Sequence, residues 1–172
     1  MHGFAMRAVG RLALLAALVS FVVAPANAAT IVALGASNTF GKGVARSEAY
    51  PSQLEAILRA KGLPVRVINA GVNGDTTGGM LNRLDSAVPA GTSVVILQPG
   101  GNDQRKGVSG NRAANVAEIQ RRLDARGIKV IMLENSMLRG LPHQPGGQHL
   151  TPEGYRMLAT ALAGQVESAI GK

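Results

Sequence analysis

The chain has no cysteine. That excludes a disulfide framework, a thiolate nucleophile and any zinc site built on sulfur, and it leaves packing to hold the fold. Tryptophan is absent too, and there are only three phenylalanines and two tyrosines. Single-strand nucleic-acid binders stack bases on aromatic side chains along a basic groove. Here 18 Lys and Arg outweigh 10 Asp and Glu, giving a formal charge of +8, but they form no block and no aromatics are interleaved with them. A generally cationic surface is expected, and nucleic acid is not expected as a partner. Acids and histidines are not grouped at metal-ligand spacing, so neither a metal nor a cofactor is expected.

Long apolar runs are scarce as well, and the clearest is near the start. Leu12 to Val23 follows Arg7 and Arg11 and precedes Ala26-Asn27-Ala28, a small-x-small triplet. This order reads as a secretory signal peptide over residues 1–28, cleaved after Ala28. The run is short of the roughly 20 residues that span a bilayer, so no membrane span is expected to remain. A secreted or periplasmic protein with a single domain over 29–172 follows from this reading.

Past residue 28, short apolar runs alternate with amphipathic stretches. Strands are predicted over Thr30 to Leu34, Val65 to Ala70, Ser93 to Leu97 and Lys129 to Leu133. Helices are predicted over Ser47 to Ala60 with Ser47 as cap, Thr76 to Val88, Asn111 to Arg126, and Thr151 to Ile170, the last opened by Thr151-Pro152-Glu153. Strands that alternate with helices and are apolar on both faces predict parallel βαβ units. The fold class is α/β, a three-layer α/β/α, flavodoxin-like domain with about four parallel strands.

Parallel strands bring their carboxyl ends to one edge, where ligands bind. Ser37 follows the first strand, Asn73-Gly74-Asp75 the second and Gly100-Gly101-Asn102-Asp103 the third, while His149 stands just before the last helix. A serine there is either a helix cap or an exposed nucleophile. Serine, histidine and amide donors together are the parts of an acyl-transfer site. A phosphate loop at Gly41-Lys42 fails on spacing, because Ala36 and Gly43 stand where glycine and a hydroxyl residue are needed.

At these four segments the sequence resembles the SGNH hydrolases, also called GDSL esterases and lipases. Gly35-Ala36-Ser37-Asn38 matches the first family block, Asn69 to Thr77 is similar to the second, Gly100-Gly101-Asn102-Asp103 matches the third in full, and His149 to Tyr155 is similar to the last. The resemblance implies Ser37 as nucleophile and His149 as general base. It implies an oxyanion hole made by the Ser37 and Gly74 backbone N–H groups and the Asn102 amide. Two departures stand out. Ala36 and Asn38 replace the usual aspartate and leucine, and Gly146 stands where the family's Asp-x-x-His block has the acid that orients the imidazole. A carbonyl of Pro145 to Gly147 is the expected substitute, with Gln144, Glu134 or a plain Ser–His dyad as alternatives. The stretch between Asn102 and His149 is also short for the family, and Glu134 to Gly147 shows no helical period.

The implied activity is hydrolysis of carboxylic esters or thioesters of small or lipid-like acyl groups. A carbohydrate O-acetyl esterase and a non-catalytic binding domain are the alternatives. His143 is expected to be a solvated loop residue, and Asp75 a loop or capping residue. Arg105 and Lys106 are expected to form a solvated face, with attraction for acidic substrates as the alternative.

Overall fold

The computed structural model describes residues 28–171; almost all of the expected signal segment therefore lies outside the described residues. Four parallel strands form one sheet: β1 (Ala29–Gly35), β2 (Val65–Gly71), β3 (Thr92–Gln98) and β4 (Lys129–Met132). Their spatial order is β2-β1-β3-β4. Pairing of Gly35 with both Gly71 and Gln98 brings three strand ends level at one edge.

Alternation along each strand divides the apolar residues between two faces. Ile31 and Ala33 of β1 and Val94 and Ile96 of β3 join one core with Leu54, Leu58, Leu158 and Leu162. These leucines come from α2 (Tyr50–Ala60) and α7 (Pro152–Ala169). Val32, Leu34, Val95 and Leu97 face the other core, with Met80, Leu84, Ile119 and Leu123. Met80 and Leu84 lie on α3 (Thr77–Asn82) and α4 (Leu84–Ala87), and the last two on α6 (Arg112–Asp124). The expected three layers and four parallel strands are present.

Helix starts follow their caps in two places. Thr76 and Thr151 accept hydrogen bonds from the N–H groups of Gly79 and Gly154, the N-cap geometry that satisfies orphan donors. Elsewhere the expectations need correction. Ser47 caps nothing: it sits in a 3-10 turn (Arg46–Glu48), and α2 begins after Ala49 with Pro51 in its first turn. Proline is preset for that position. The helix expected over Thr76 to Val88 breaks at Arg83 into α3 and α4. Gly78 and Gly79 weaken this stretch, and the Arg83 guanidinium reaches away to Asp75 Oδ2 at 2.8 Å and the Gly35 carbonyl at 3.1 Å. Two short helices were not expected, α1 (Ser37–Phe40) and α5 (Asn102–Arg105). Among the described residues no helix is long and apolar enough to cross a membrane.

Candidate active site

β1 runs apolar and fully buried from Ile31 to Leu34, and the chain then turns sharply into α1, whose first residue is Ser37. Two glycines permit this turn. A Cβ on Gly35 would strike the Thr39 hydroxyl, and one on Gly71 would strike the backbone nitrogen of Phe40. The short helix therefore sits directly on the ends of β1 and β2, and the serine is lifted to the carboxyl edge of the sheet. Buried Thr39 fastens α1 from beneath by donating to Gln98 Oε1 at the end of β3, 3.0 Å away.

His149 reaches the same point from the other end of the chain. Its Nε2 lies 3.0 Å from Ser37 Oγ, across 112 residues of sequence. The histidine stands on the returning arm of a hairpin-like loop between Pro142 and Thr151. Thr151 N–H donates to the Pro142 carbonyl (3.0 Å), Gln144 N–H to the His149 carbonyl (2.8 Å) and Gly147 N–H to the Gln144 carbonyl (3.0 Å). Gly146 and Gly147 make the tip, with φ of 97° and 67°, the left-handed region that side-chain-bearing residues rarely adopt. This explains the glycine at the expected acid position: the backbone there has the geometry of a tight turn.

Among the described residues, none of the expected substitutes for the acid is hydrogen-bonded to the imidazole. The Gln144 carbonyl is taken by Gly147 N–H, and the Gln144 side chain donates to the carbonyls of Lys42 (2.9 Å) and Leu150 (2.7 Å). Glu134 is exposed and directly precedes a 3-10 turn (Asn135–Leu138). Among the described residues, the hydrogen bond made by the His149 ring is the one to Ser37. Its position comes from the loop, which is tied down at three points. Gln144 supplies two. Asn38 supplies the third, donating from Nδ2 to the Gln148 carbonyl (3.1 Å) and accepting from the hydroxyl of buried Tyr155 (3.1 Å). Asn38 thus links the serine helix, the histidine loop and α7.

Burial and then the cations Lys42 and Arg105 hold the His149 pKa below the ordinary histidine value of 6.5. The neutral ring, able to accept a proton, is favoured.

Asn102 begins α5 and is buried. Its Nδ2 donates to the Asp75 carbonyl at 2.7 Å, and its Oδ1 accepts from the Arg105 guanidinium at 2.6 Å. Both ends of the amide are fixed, and one N–H of the NH₂ group remains for a ligand. Asp103 beside it is fully buried and accepts from Thr77 N–H (3.1 Å) and Thr77 Oγ1 (2.5 Å). This carboxylate welds α5 to the start of α3. Asp75 has the structural part expected of it, paired with Arg83.

Ser37, Asn102 and His149 line one cleft of about 240 Å³. Gly74, the other expected oxyanion donor, sits with φ 74° on the adjoining loop. It precedes Asp75, whose carbonyl holds Asn102. Several cleft residues, Gln98, Arg139 and His143 among them, are not recognisable as such in the sequence. Gln98 is buried at the floor, and His143, expected in solvent, is half-buried with Nδ1 bonded to the Leu141 carbonyl at 2.6 Å. Among the described residues no group of three or more acids and histidines is placed to hold a metal. A hydroxyl against an unprotonated imidazole, next to a fixed amide donor, is suited to nucleophilic attack on a carbonyl.

The chain is similar to several known proteins. The model of the GDSL-like Lipase/Acylhydrolase family matches residues 33–168. Esterase TesA of Pseudomonas aeruginosa is 29% identical over 147 residues, covering 84% of this chain and 70% of that protein. AlinE4, an SGNH-hydrolase family esterase, is 25% identical with a TM-score of 0.64, over 87% of this chain and 100% of AlinE4. Esterase EstA from Pseudoalteromonas sp. shares the fold at 15% identity and a TM-score of 0.74, over 83% of this chain and 99% of that one.

Proposed function

The chain belongs to the GDSL-like Lipase/Acylhydrolase family and is an ester hydrolase of that type, and from that premise we propose an exported serine esterase acting through Ser37 and His149. Its substrates are carboxylic esters or thioesters of small or lipid-like acyl groups. The observation that carries this reading is the 3.0 Å hydrogen bond between Ser37 Oγ and His149 Nε2.

Ser37 Oγ attacks the carbonyl carbon while its proton passes to His149 Nε2. The oxyanion is received by the free N–H of Asn102 Nδ2 and the backbone N–H groups of Ser37 and Gly74. Collapse expels the alcohol or thiol, which takes the proton back from His149, and leaves an acyl-serine. Water then attacks this ester with His149 again as base, releasing the acid. Among the described residues no carboxylate is bonded to the imidazole. In a serine-protease triad, replacing that acid by its amide lowers turnover about 10⁴-fold, largely by setting the wrong tautomer. In this chain the loop ties on either side of His149 supply its orientation, and a modest turnover on activated esters is expected.

The cleft is small for a drug-sized ligand, and Asn38, Gln98, Asn102 and Asn135 make much of its wall polar. This favours short acyl groups and gives a second reading, removal of O-acetyl groups from carbohydrate. Rates across p-nitrophenyl esters of increasing chain length, set against acetylated sugars, separate the two. The test of the site is Ser37→Ala: p-nitrophenyl acetate hydrolysis and labelling by a fluorophosphonate are expected to disappear. Wild-type turnover in that variant excludes Ser37 as nucleophile, and a folded wild-type protein that neither turns over nor labels is a binding domain.

A further inference from the structure

The cleft around Ser37 contains cations and no anion. Arg105 and Arg139 line it with Ser37 and His149, and among the described residues no aspartate or glutamate does. Most arginines of the described chain are paired: Arg59, Arg83, Arg121, Arg122, Arg126 and Arg156 each face a carboxylate within 4.0 Å. Arg105 instead donates to a neutral oxygen, Asn102 Oδ1. Arg139 follows the 3-10 turn Asn135–Leu138 and is exposed at the rim. The acids nearest in sequence are directed elsewhere. Asp103 is buried against Thr77, and Glu134 is exposed and outside the lining. Lys42 stands close enough to His149 to act on its titration. A second hollow shares Gly100, Gly101 and Asn135 with the first and adds Arg112, which reaches the Gly100 carbonyl.

Clefts lined by one sign of charge concentrate ligands of the other sign and speed their capture. Guanidinium groups without a carboxylate partner are matched to carboxylate and phosphate geometry. We propose that this site selects esters bearing a negative charge, with Arg105 and Arg139 receiving a carboxylate or phosphate group of the substrate beside the bond that Ser37 cleaves. This rests on the Ser37–His149 reading above and adds the substrate class. The reaction itself is unchanged: the acyl carbon–oxygen bond breaks, water is consumed, and the charged group is a spectator held by the arginines. A carboxylic acid product leaves a cationic cleft as an anion, so product release is expected to quicken as salt rises.

The test compares matched esters that differ in charge. 4-Acetoxybenzoate and its methyl ester place the charge in the leaving group. The 4-nitrophenyl hemiester of adipic acid and 4-nitrophenyl hexanoate place it in the acyl group. At low ionic strength kcat/KM is expected to favour the anionic member of at least one pair by about tenfold, falling towards parity near 1 M salt, where the screening length shrinks to about 3 Å. The pair that responds tells which side of the ester the arginines hold. In Arg139→Gln the anionic-to-neutral ratio is expected to drop severalfold, while Arg122→Gln, on the remote helix α6, keeps it. The readout is a ratio, so a general loss of stability or turnover cancels. Equal rates within both pairs, a ratio indifferent to salt, or a ratio unchanged by Arg139→Gln overturns the proposal while leaving the Ser37 chemistry standing. Hydrolysis that survives Ser37→Ala, or no hydrolysis of any of the four esters, removes that chemistry and this proposal with it.

Discussion

Replacing Asn38 by leucine, the residue the family usually carries there, separates holding the histidine loop from every other role. The substitution removes two hydrogen bonds. Tyr155 is fully buried, and its hydroxyl loses the acceptor 3.1 Å away. A buried donor left unmet costs about 1–3 kcal/mol. The Gln148 carbonyl is exposed, so water replaces Asn38 Nδ2 there at little cost. A loss of about 2 kcal/mol lowers Tm by roughly 4–8 °C in a chain of this size. Activity should fall for a different reason. The loop keeps both Gln144 ties but loses the one beside His149, and small misplacements of a catalytic group cost up to about 10²-fold. With two of three ties retained, about a tenfold drop in kcat is expected, with KM for p-nitrophenyl acetate unchanged. Tyr155→Phe is the control. It removes the buried donor but leaves the Asn38–Gln148 bond, so kcat should hold. Denaturation followed by fluorescence-free circular dichroism, with steady-state kinetics on both variants, reads the two effects apart. A folded Asn38→Leu protein with wild-type kcat refutes the argument.

The acid limb of kcat/KM should lie below pH 6.5, because burial, Lys42 and Arg105 all disfavour the imidazolium and the base form is the neutral ring. At pH 6.0 an ordinary histidine is about one-quarter neutral, so the enzyme should retain more than that share of its plateau rate. Lys42→Gln should shift the limb upward, and a wild-type limb above 6.5 contradicts the description of the site. Asn102→Ala should lower kcat by about 10²–10³-fold, the usual cost of one oxyanion donor; a loss below about threefold by steady-state kinetics would remove Asn102 from that role. Asp103→Ala leaves the Thr77 N–H without its buried acceptor and should cost about 3 kcal/mol in urea denaturation; a cost under about 1 kcal/mol would show the carboxylate to be dispensable.

Much of the framework was legible because it is periodic. Ile31 to Leu34 and Val94 to Leu97 are apolar on both faces, which a strand covered by two helix layers demands. Thr76 and Thr151 announce helix starts by chemistry confined to three or four residues. Ser37 and His149 were found from local blocks, and the structure places them in contact. What stayed hidden is what joins distant segments through single polar atoms. Asn38 meets Gln148 across 110 residues and Gln144 meets Lys42 across 102, and no window along the chain registers either. The missing acid at Gly146 is visible in the sequence, but what holds the imidazole in its place is not. The turn with φ of 97° at Gly146 is closed by the Gly147 N–H on the Gln144 carbonyl, and the hydrogen bond of the ring goes to Ser37 instead of a loop carbonyl. The break at Arg83 was masked for a similar reason, since its partners Asp75 and Gly35 belong to other elements.

Ser37 lies at the end of the first strand and His149 at the threshold of the last helix, and this has a consequence for synthesis. The serine and most of the sheet leave the ribosome long before the histidine is made. On the proposed mechanism, the hydroxyl has no base until α7 docks against α2 and the histidine loop is drawn down on Lys42 and Asn38. The nascent chain would then be chemically silent, with hydrolysis beginning at the final packing event. A protease cut in the loop from Pro142 to Thr151 is expected to return the molecule to that state.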